Sequence, residues 1–168
     1  MTAAAALKAK PSESKTDSGV AHKERAKLAD ALSGALADTY LLFLKTQNFH
    51  WNVVGPLFYG LHKLTEEQYE DLGESADTLA ERIRAIGFLA PGSFAQFSKL
   101  SEIKEESGTP TAEEMIKQLV HDNELCAKRF RDVAEAAEEV NDVKTADLLT
   151  ERIGQHEENA WMLRSLLA

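Results

Sequence analysis

Apolar side chains recur along most of this chain at the three-to-four-residue spacing of an α-helix. Leu28, Leu32, Ala35, Leu36, Thr39, Phe43 and Thr46 mark the first run, and their spacing predicts one long amphipathic helix from about Ala21 to Asn52. Gly55-Pro56 interrupts it, and a proline just inside the next helix is a start signal. Leu61, Leu64, Tyr69, Leu72, Leu79 and Ile83 define a second helix over 57–86, which Gly87 stops. Residues 88–110, with Pro91-Gly92 and Gly108, are long for a bare connection. The apolar patch at Phe94, Phe97 and Leu100 predicts a short helix within it. Thr111 and Glu114 match a capping box and open a third long helix through Met115, Leu119, Leu125, Phe130, Val133 and Ala137. Val140-Asn141-Asp142 breaks that run, and a fourth extends from about Val143 through Leu148, Ile153, Trp161, Leu163 and Leu166. No strand-like alternation bounded by turn residues occurs. The prediction is an all-α four-helix bundle with an extra short helix in its long middle connection.

Short turns joining the first and last pairs, with a long crossover between them, describe the ferritin-like connectivity rather than a simple up-down bundle. The 168 residues suit one domain, placed at 21–168. Residues 1–20 are small and polar, broken by Pro11 and Gly19, and read as a disordered tail. A single cysteine, Cys126, excludes an intrachain disulfide framework and fits a reducing compartment. No apolar run approaches the roughly 20 residues that cross a bilayer. The patch at Met1–Leu7 is too short for a signal-peptide core, so a cytoplasmic location is expected.

Charge sharpens the picture. The net charge is −9, from 28 acidic and 19 basic residues. Residues 1–27 hold six basic side chains against three acidic ones, a balance of +3, which leaves −12 for the remainder. Such a body attracts cations and holds nucleic acid poorly.

Many bundles bind iron through Glu-x-x-His motifs projecting inward. Here the residues three before the five histidines are Gly19, Gln47, Tyr59, Gln118 and Ile153, so that motif is absent. A different set exists: His50 near the end of the first helix, and His62, Glu66, Asp77 and Glu81 on the second. Imidazole and carboxylate suit iron, zinc or manganese. On a helical wheel Glu66, Asp77 and Glu81 lie about 40°, 60° and 100° from His62, on one face. Glu66 and Asp77 are nevertheless roughly 16 Å apart along the axis, too far to share one ion. Two copies of the helix packed antiparallel about a twofold axis near Leu72 or Gly73 bring them together. The residues therefore argue for a site shared between subunits or for none. In the second case His62–Glu66 is a surface pair, Asp77 and Glu81 form a solvated face beside Arg82 and Arg84, and His50 is a core histidine. His22, His121 and His156 read as structural or surface, and Cys126 as a small buried hydrophobe.

At His50-Trp51-Asn52, Gly55, Leu61-His62 and Glu66 the chain resembles the first signature of the Dps family (DNA-binding proteins from starved cells), the mini-ferritins. Asp77-Thr78-Leu79-Ala80-Glu81-Arg82 followed by Gly87 is similar to the second, and the likeness spans roughly residues 25–167. The resemblance implies a hollow homo-oligomer, usually a dodecamer, that oxidises Fe(II) with hydrogen peroxide or O2 and stores ferric mineral against oxidative damage. Its ferroxidase centres, of di-iron type, would take His50, His62 and Glu66 from one subunit and Asp77 and Glu81 from another, with zinc or manganese as competitors. Many members have Asp where this chain has Glu66. Trp51 resembles the family's aromatic beside the centre, where it intercepts radicals. Glu139, Asp142 and Asp147 fall where relatives form an acidic pore for ions, although Val143 and Lys144 interrupt the run and Asp142 also suits a helix cap. Some relatives bind DNA through a lysine-rich tail; here Lys8, Lys10 and Lys15 are diluted by Glu13 and Asp17. The competing readings are a non-enzymatic, nucleoid-associated cage that compacts DNA and a bundle without metal.

Overall fold

A computed structural model describes residues 8–168; Met1–Leu7, and with them part of the expected tail, lie outside the described residues. Five helices follow in order: α1 His22–Asn52, α2 Phe58–Ala85, α3 Phe94–Leu100, α4 Ala112–Glu139 and α5 Val143–Ser165. No strand occurs among the described residues. Side-chain pairs fix the directions. His50 meets His62 and Phe43 meets Tyr69, so α1 and α2 are antiparallel. Lys45–Asp122 and Asp38–Arg129 set α4 antiparallel to α1, and Asp71–Arg152 with Arg82–Asp142 set α5 antiparallel to α2. It follows that α2 and α4 run parallel, and residues 86–111 traverse the bundle lengthwise.

Asp38 pins that crossover. Fully buried on α1, it accepts hydrogen bonds from the Ser101 hydroxyl and the Glu102 amide, each at 2.7 Å, and from the Arg129 guanidinium at 2.7 Å. Phe97 of α3 packs into the same core. The four long helices enclose Leu32, Leu42, Phe49, Leu61, Leu72, Leu79, Ile116, Leu119, Phe130 and Leu149, all at most 2% exposed.

Local chemistry sets the helix ends. Thr111 and Glu114 form the full capping box of α4. Gly87, at φ +106°, ends α2 in a Schellman arrangement: its amide donates to the Arg84 carbonyl and that of Phe88 to the Ile83 carbonyl. Asn141, at φ 59°, does the same for α4, and Asp142 immediately caps α5 through the Thr145 amide. Pro56 departs slightly from expectation. It lies in the turn before α2, whose first residue is Phe58, because Gly55 adopts φ +90° and its carbonyl accepts from the Phe58 amide.

Residues 8–20 form no helix or strand, yet part of this stretch is tied to the bundle. The Ser14 amide donates to the Gly87 carbonyl at 2.9 Å, and the Arg84 guanidinium reaches the Ser12 carbonyl at 3.4 Å. A Cβ on Gly87 would lie 2.9 Å from the Ser14 carbonyl oxygen.

Candidate metal centre

The antiparallel α1 and α2 bring the last turn of one beside the first turns of the other. His50 and His62 meet there ring to ring, with centroids 3.8 Å apart and planes 16° from parallel. His50 Nδ1 lies 2.8 Å from the His62 carbonyl oxygen, and His62 Nδ1 lies 2.9 Å from the His50 carbonyl oxygen. The His50 carbonyl belongs to the last turn of α1 and has no partner within the helix. A carbonyl only accepts, so each Nδ1 carries a proton, and in the neutral imidazole it is Nε2 that keeps the lone pair. Backbone carbonyls orient metal-binding imidazoles in this way. Phe58 stacks on the outer face of His62 at 5.0 Å, and Tyr69 meets His50 edge-on at 5.1 Å. Neither ring is free to turn.

Glu66 sits one turn beyond His62 and accepts from Lys63 Nζ at 2.5 Å. That hydrogen bond, with the Lys63 charge acting in the same direction, holds its carboxyl below the usual carboxylate range. Asp77 and Glu81 are exposed and form no ion pair with any described residue. The expected neighbours of Glu81 are engaged elsewhere: Arg82 binds Asp142 at 2.5 Å and Thr145 at 2.8 Å, and Arg84 binds the Phe88 carbonyl. Thus the fold gathers His50, His62 and Glu66 at one end of α2 and leaves Asp77 and Glu81 three turns away. Among the described residues no three His, Cys, Asp or Glu side chains of this single chain are placed to hold one ion. Gly73, between the two groups, faces Phe43 of its own α1 at a distance an alanine would tolerate.

The middle of the bundle is occupied differently. Lys45 Nζ donates to Asp122 at 2.6 Å with both side chains buried, and Arg152 grips Asp71 through two bonds of 2.7 and 2.5 Å. Asn123 donates to the Leu119 carbonyl, so its Oδ1, 2.8 Å from His156 Nδ1, is the acceptor of that proton. Burial, then the nearby Arg152 charge, lowers the His156 pKa to about 3. Both mid-bundle carboxylates already face cations. The pattern of apolar positions did not reveal this layer, although Lys45 falls on the apolar face of α1 between Leu42 and Phe49. Cys126 is fully buried, and burial pushes its thiol pKa up.

Trp51, next to His50, is 63% exposed and lines a 360 Å³ cleft with Lys45, Asn48 and Glu106. Asp142 is buried, accepting from Arg82, the Thr145 hydroxyl and the Thr145 amide. Burial alone would raise its pKa, but these bonds outweigh that and hold it below the usual range. Its carboxylate is the α5 cap, the alternative its position already allowed. Glu139 and Asp147 are exposed, the latter 3.0 Å from Lys144.

The ferritin-like domain family matches residues 29–168. An uncharacterised low temperature-induced protein of Nostoc sp. is 44% identical over 151 residues, 89% of this chain and 84% of that protein. DNA protection during starvation protein 2 of Bacillus anthracis is 36% identical, covering 82% of this chain and 94% of its own length. The crystal structure of a Dps protein from Vibrio cholerae O1, described as one of a broad superfamily of ferritin-like diiron-carboxylate proteins, superposes with a TM-score of 0.87 at 31% identity. That match spans 95% of this chain and 100% of the other. This chain belongs to the ferritin-like family, in its Dps branch.

Proposed function

We propose that the chain is a subunit of a Dps-type cage, a homo-dodecamer, that oxidises ferrous iron at centres shared between two subunits and stores the ferric product as mineral. The observation that carries this reading is the reciprocal pair of bonds that fixes both Nδ1 protons and leaves two Nε2 lone pairs beside an ionised Glu66. Asp77 and Glu81, unpaired on the same helix, supply the second half from a twofold partner. Iron is the substrate. Neutral imidazoles hold the ferrous ion, and the harder carboxylates favour the ferric product. Two ferrous ions give one electron each, so that hydrogen peroxide and two protons become two waters; dioxygen is the slower oxidant. Zinc and manganese compete for the same donors. Exposed Glu139 and Asp147, rather than the engaged Asp142, are the candidates for lining an iron pore. Trp51 lies on the rim of the shared centre.

Mixing two inactive variants tests the sharing. His50→Gln/His62→Gln lacks one half and Asp77→Asn/Glu81→Gln the other. Random pairing in co-assembled cages rebuilds about a quarter of the centres. Partial recovery of ferrous oxidation is the expected result. No recovery in correctly assembled mixed cages rules out a shared centre.

A second reading, a cage that compacts DNA without redox chemistry, draws on the DNA-protection names of several relatives. The −12 balance beyond residue 27 opposes it. Gel shifts at low and moderate salt, with and without residues 1–20, decide whether any DNA binding resides in the tail.

A further inference from the structure

The foot of α1 joins a buried cation to an uncapped helix end. Arg25 is 5% exposed and forms no ion pair with any described residue. Its Nε donates to the Val20 carbonyl at 3.1 Å and its Nη1 to the Ile86 carbonyl at 2.9 Å, at the negative end of α2. The Nη2 group bonds no described residue and is not sealed in the interior; it opens on a 470 Å³ cleft that Arg25 lines. A charge held this deeply without a counter-ion is costly, and an anion in the cleft relieves that cost. The first turn of α1 borders the same cleft. Ala21, at its N-cap, provides no side-chain cap, and the His22 and Lys23 amides find no acceptor among the described residues. Free amides and the helix dipole both favour negative charge there. Facing them is the tail, whose Ser14 and Thr16 hydroxyls lie 3.2 Å apart. One donates to the other, which leaves one hydroxyl proton for a ligand. Thr16 Oγ1 and Arg25 Nη1 each lie 3.3 Å from the point a Gly87 Cβ would occupy, so tail and guanidinium meet at one spot.

We propose that this cleft binds a small tetrahedral oxyanion of the phosphate class, and that the bound ion fastens residues 14–16 to the foot of α1. Arg25 Nη2 supplies a charge-assisted bond, and the free α1 amides and one tail hydroxyl complete the shell. Lys15, also on the cleft wall, adds an ammonium. Glu13 and Asp17 line the cleft too and oppose an anion. Neither is paired with Arg25: Glu13 lies 3.9 Å from His22 Nε2, and Asp17 accepts from the Gly19 amide at 3.3 Å. Both are exposed, so water and salt screen them, whereas Arg25 is buried. The ion therefore acts as a removable clasp on the tail. A duplex backbone is the poorer occupant, because the two carboxylates and the acidic body repel a polyanion. Nothing in the clasp depends on iron chemistry, so it stands or falls apart from the function proposed above.

Lys15 places a tryptic site within the cleft. The test is the rate of cleavage after Lys15 in the iron-free full chain, in sodium phosphate against sodium chloride at equal ionic strength. A peptide of residues 8–20 with the matching sequence corrects for effects on the protease itself. A saturable, severalfold slowing in the protein, absent from the peptide, is expected. Asp17→Asn keeps an acceptor for the Gly19 amide but removes a repelling charge, so half-protection should come at a lower phosphate concentration. Thr16→Val should require a higher one. Arg25→Lys should lose the phosphate effect, because one ammonium cannot serve both carbonyls and a ligand; calorimetry checks that it is folded. If Arg25→Lys does not fold, the opposite shifts of Asp17→Asn and Thr16→Val still decide. Equal cleavage in phosphate and chloride overturns the clasp. So does a phosphate effect that neither Asp17→Asn nor Thr16→Val alters, or protection by a short DNA duplex and none by phosphate.

Discussion

The middle of the bundle and the α1/α2 end use similar residue types to opposite effect. At the middle, every carboxylate meets a cation within its own chain, as in Lys45–Asp122 and Arg152–Asp71, and His156 is locked neutral against Asn123. At the end, two histidines are held equally firmly, but by carbonyls, so the fixing consumes Nδ1 and spares Nε2. Rigidity is common to both regions; what differs is whether the carboxylates beside the histidines are already paired with a cation of the same chain, as Asp71 and Asp122 are and Asp77 and Glu81 are not. A layer whose carboxylates are paired internally serves one protomer, whereas carboxylates left unpaired beside histidines call for a ligand or a second chain.

The largest expected effect falls at the end of the bundle. His50→Gln/His62→Gln should reduce ferrous oxidation to the uncatalysed background while the melting temperature stays within a few degrees, as followed by ferric absorbance and calorimetry. If the rate survives, the contrast collapses. At the middle the pattern should invert. Lys45→Met strands a buried Asp122 carboxylate at a cost of about 3–5 kcal/mol, and Lys45→Met/Asp122→Leu should recover most of it in denaturant unfolding. A smaller effect is due at the α2 stop. Gly87→Ala must hold φ +106° and crowd the Ser14 carbonyl, for a loss of about 1–3 kcal/mol and faster limited proteolysis within residues 8–20.

The subtlest test is one of pH. Unfolded His156 titrates near 6.5 and the folded side chain only at about 3. Between those values the unfolded state binds a proton that the native state refuses, so stability falls as pH drops through this window. Above it the effect vanishes. The penalty is about 1 kcal/mol near pH 6. It should disappear from the pH dependence of unfolding in His156→Gln.

Helices were readable because their stripes repeat locally, and several boundaries because single residues enforce them: Thr111 and Glu114 at one, Gly87 at another. The candidate ligands were readable for a related reason, since His62, Glu66, Asp77 and Glu81 share one helix whose geometry needs no tertiary information. The counter-ion of Lys45 was not, because Asp122 lies 77 residues away and only packing selects α4 to supply it. Nor did sequence show that the carbonyls of His50 and His62 would set each other's tautomers, which depends on how the Gly55 turn docks two helix ends. The bonds at Ser12 and Ser14 escaped for another reason: the tail contributes only backbone groups, and these leave no trace in residue type.

Those backbone bonds set a leash. With Ser14 fastened to Gly87, Lys10 is four residues and Lys8 six residues from the anchor, a span of about 14 and 21 Å even when fully drawn out. A polyanion must therefore come almost to the foot of the second helix before either ammonium can greet it. Freeing the knot, rather than adding charge, is the more effective way to widen that radius.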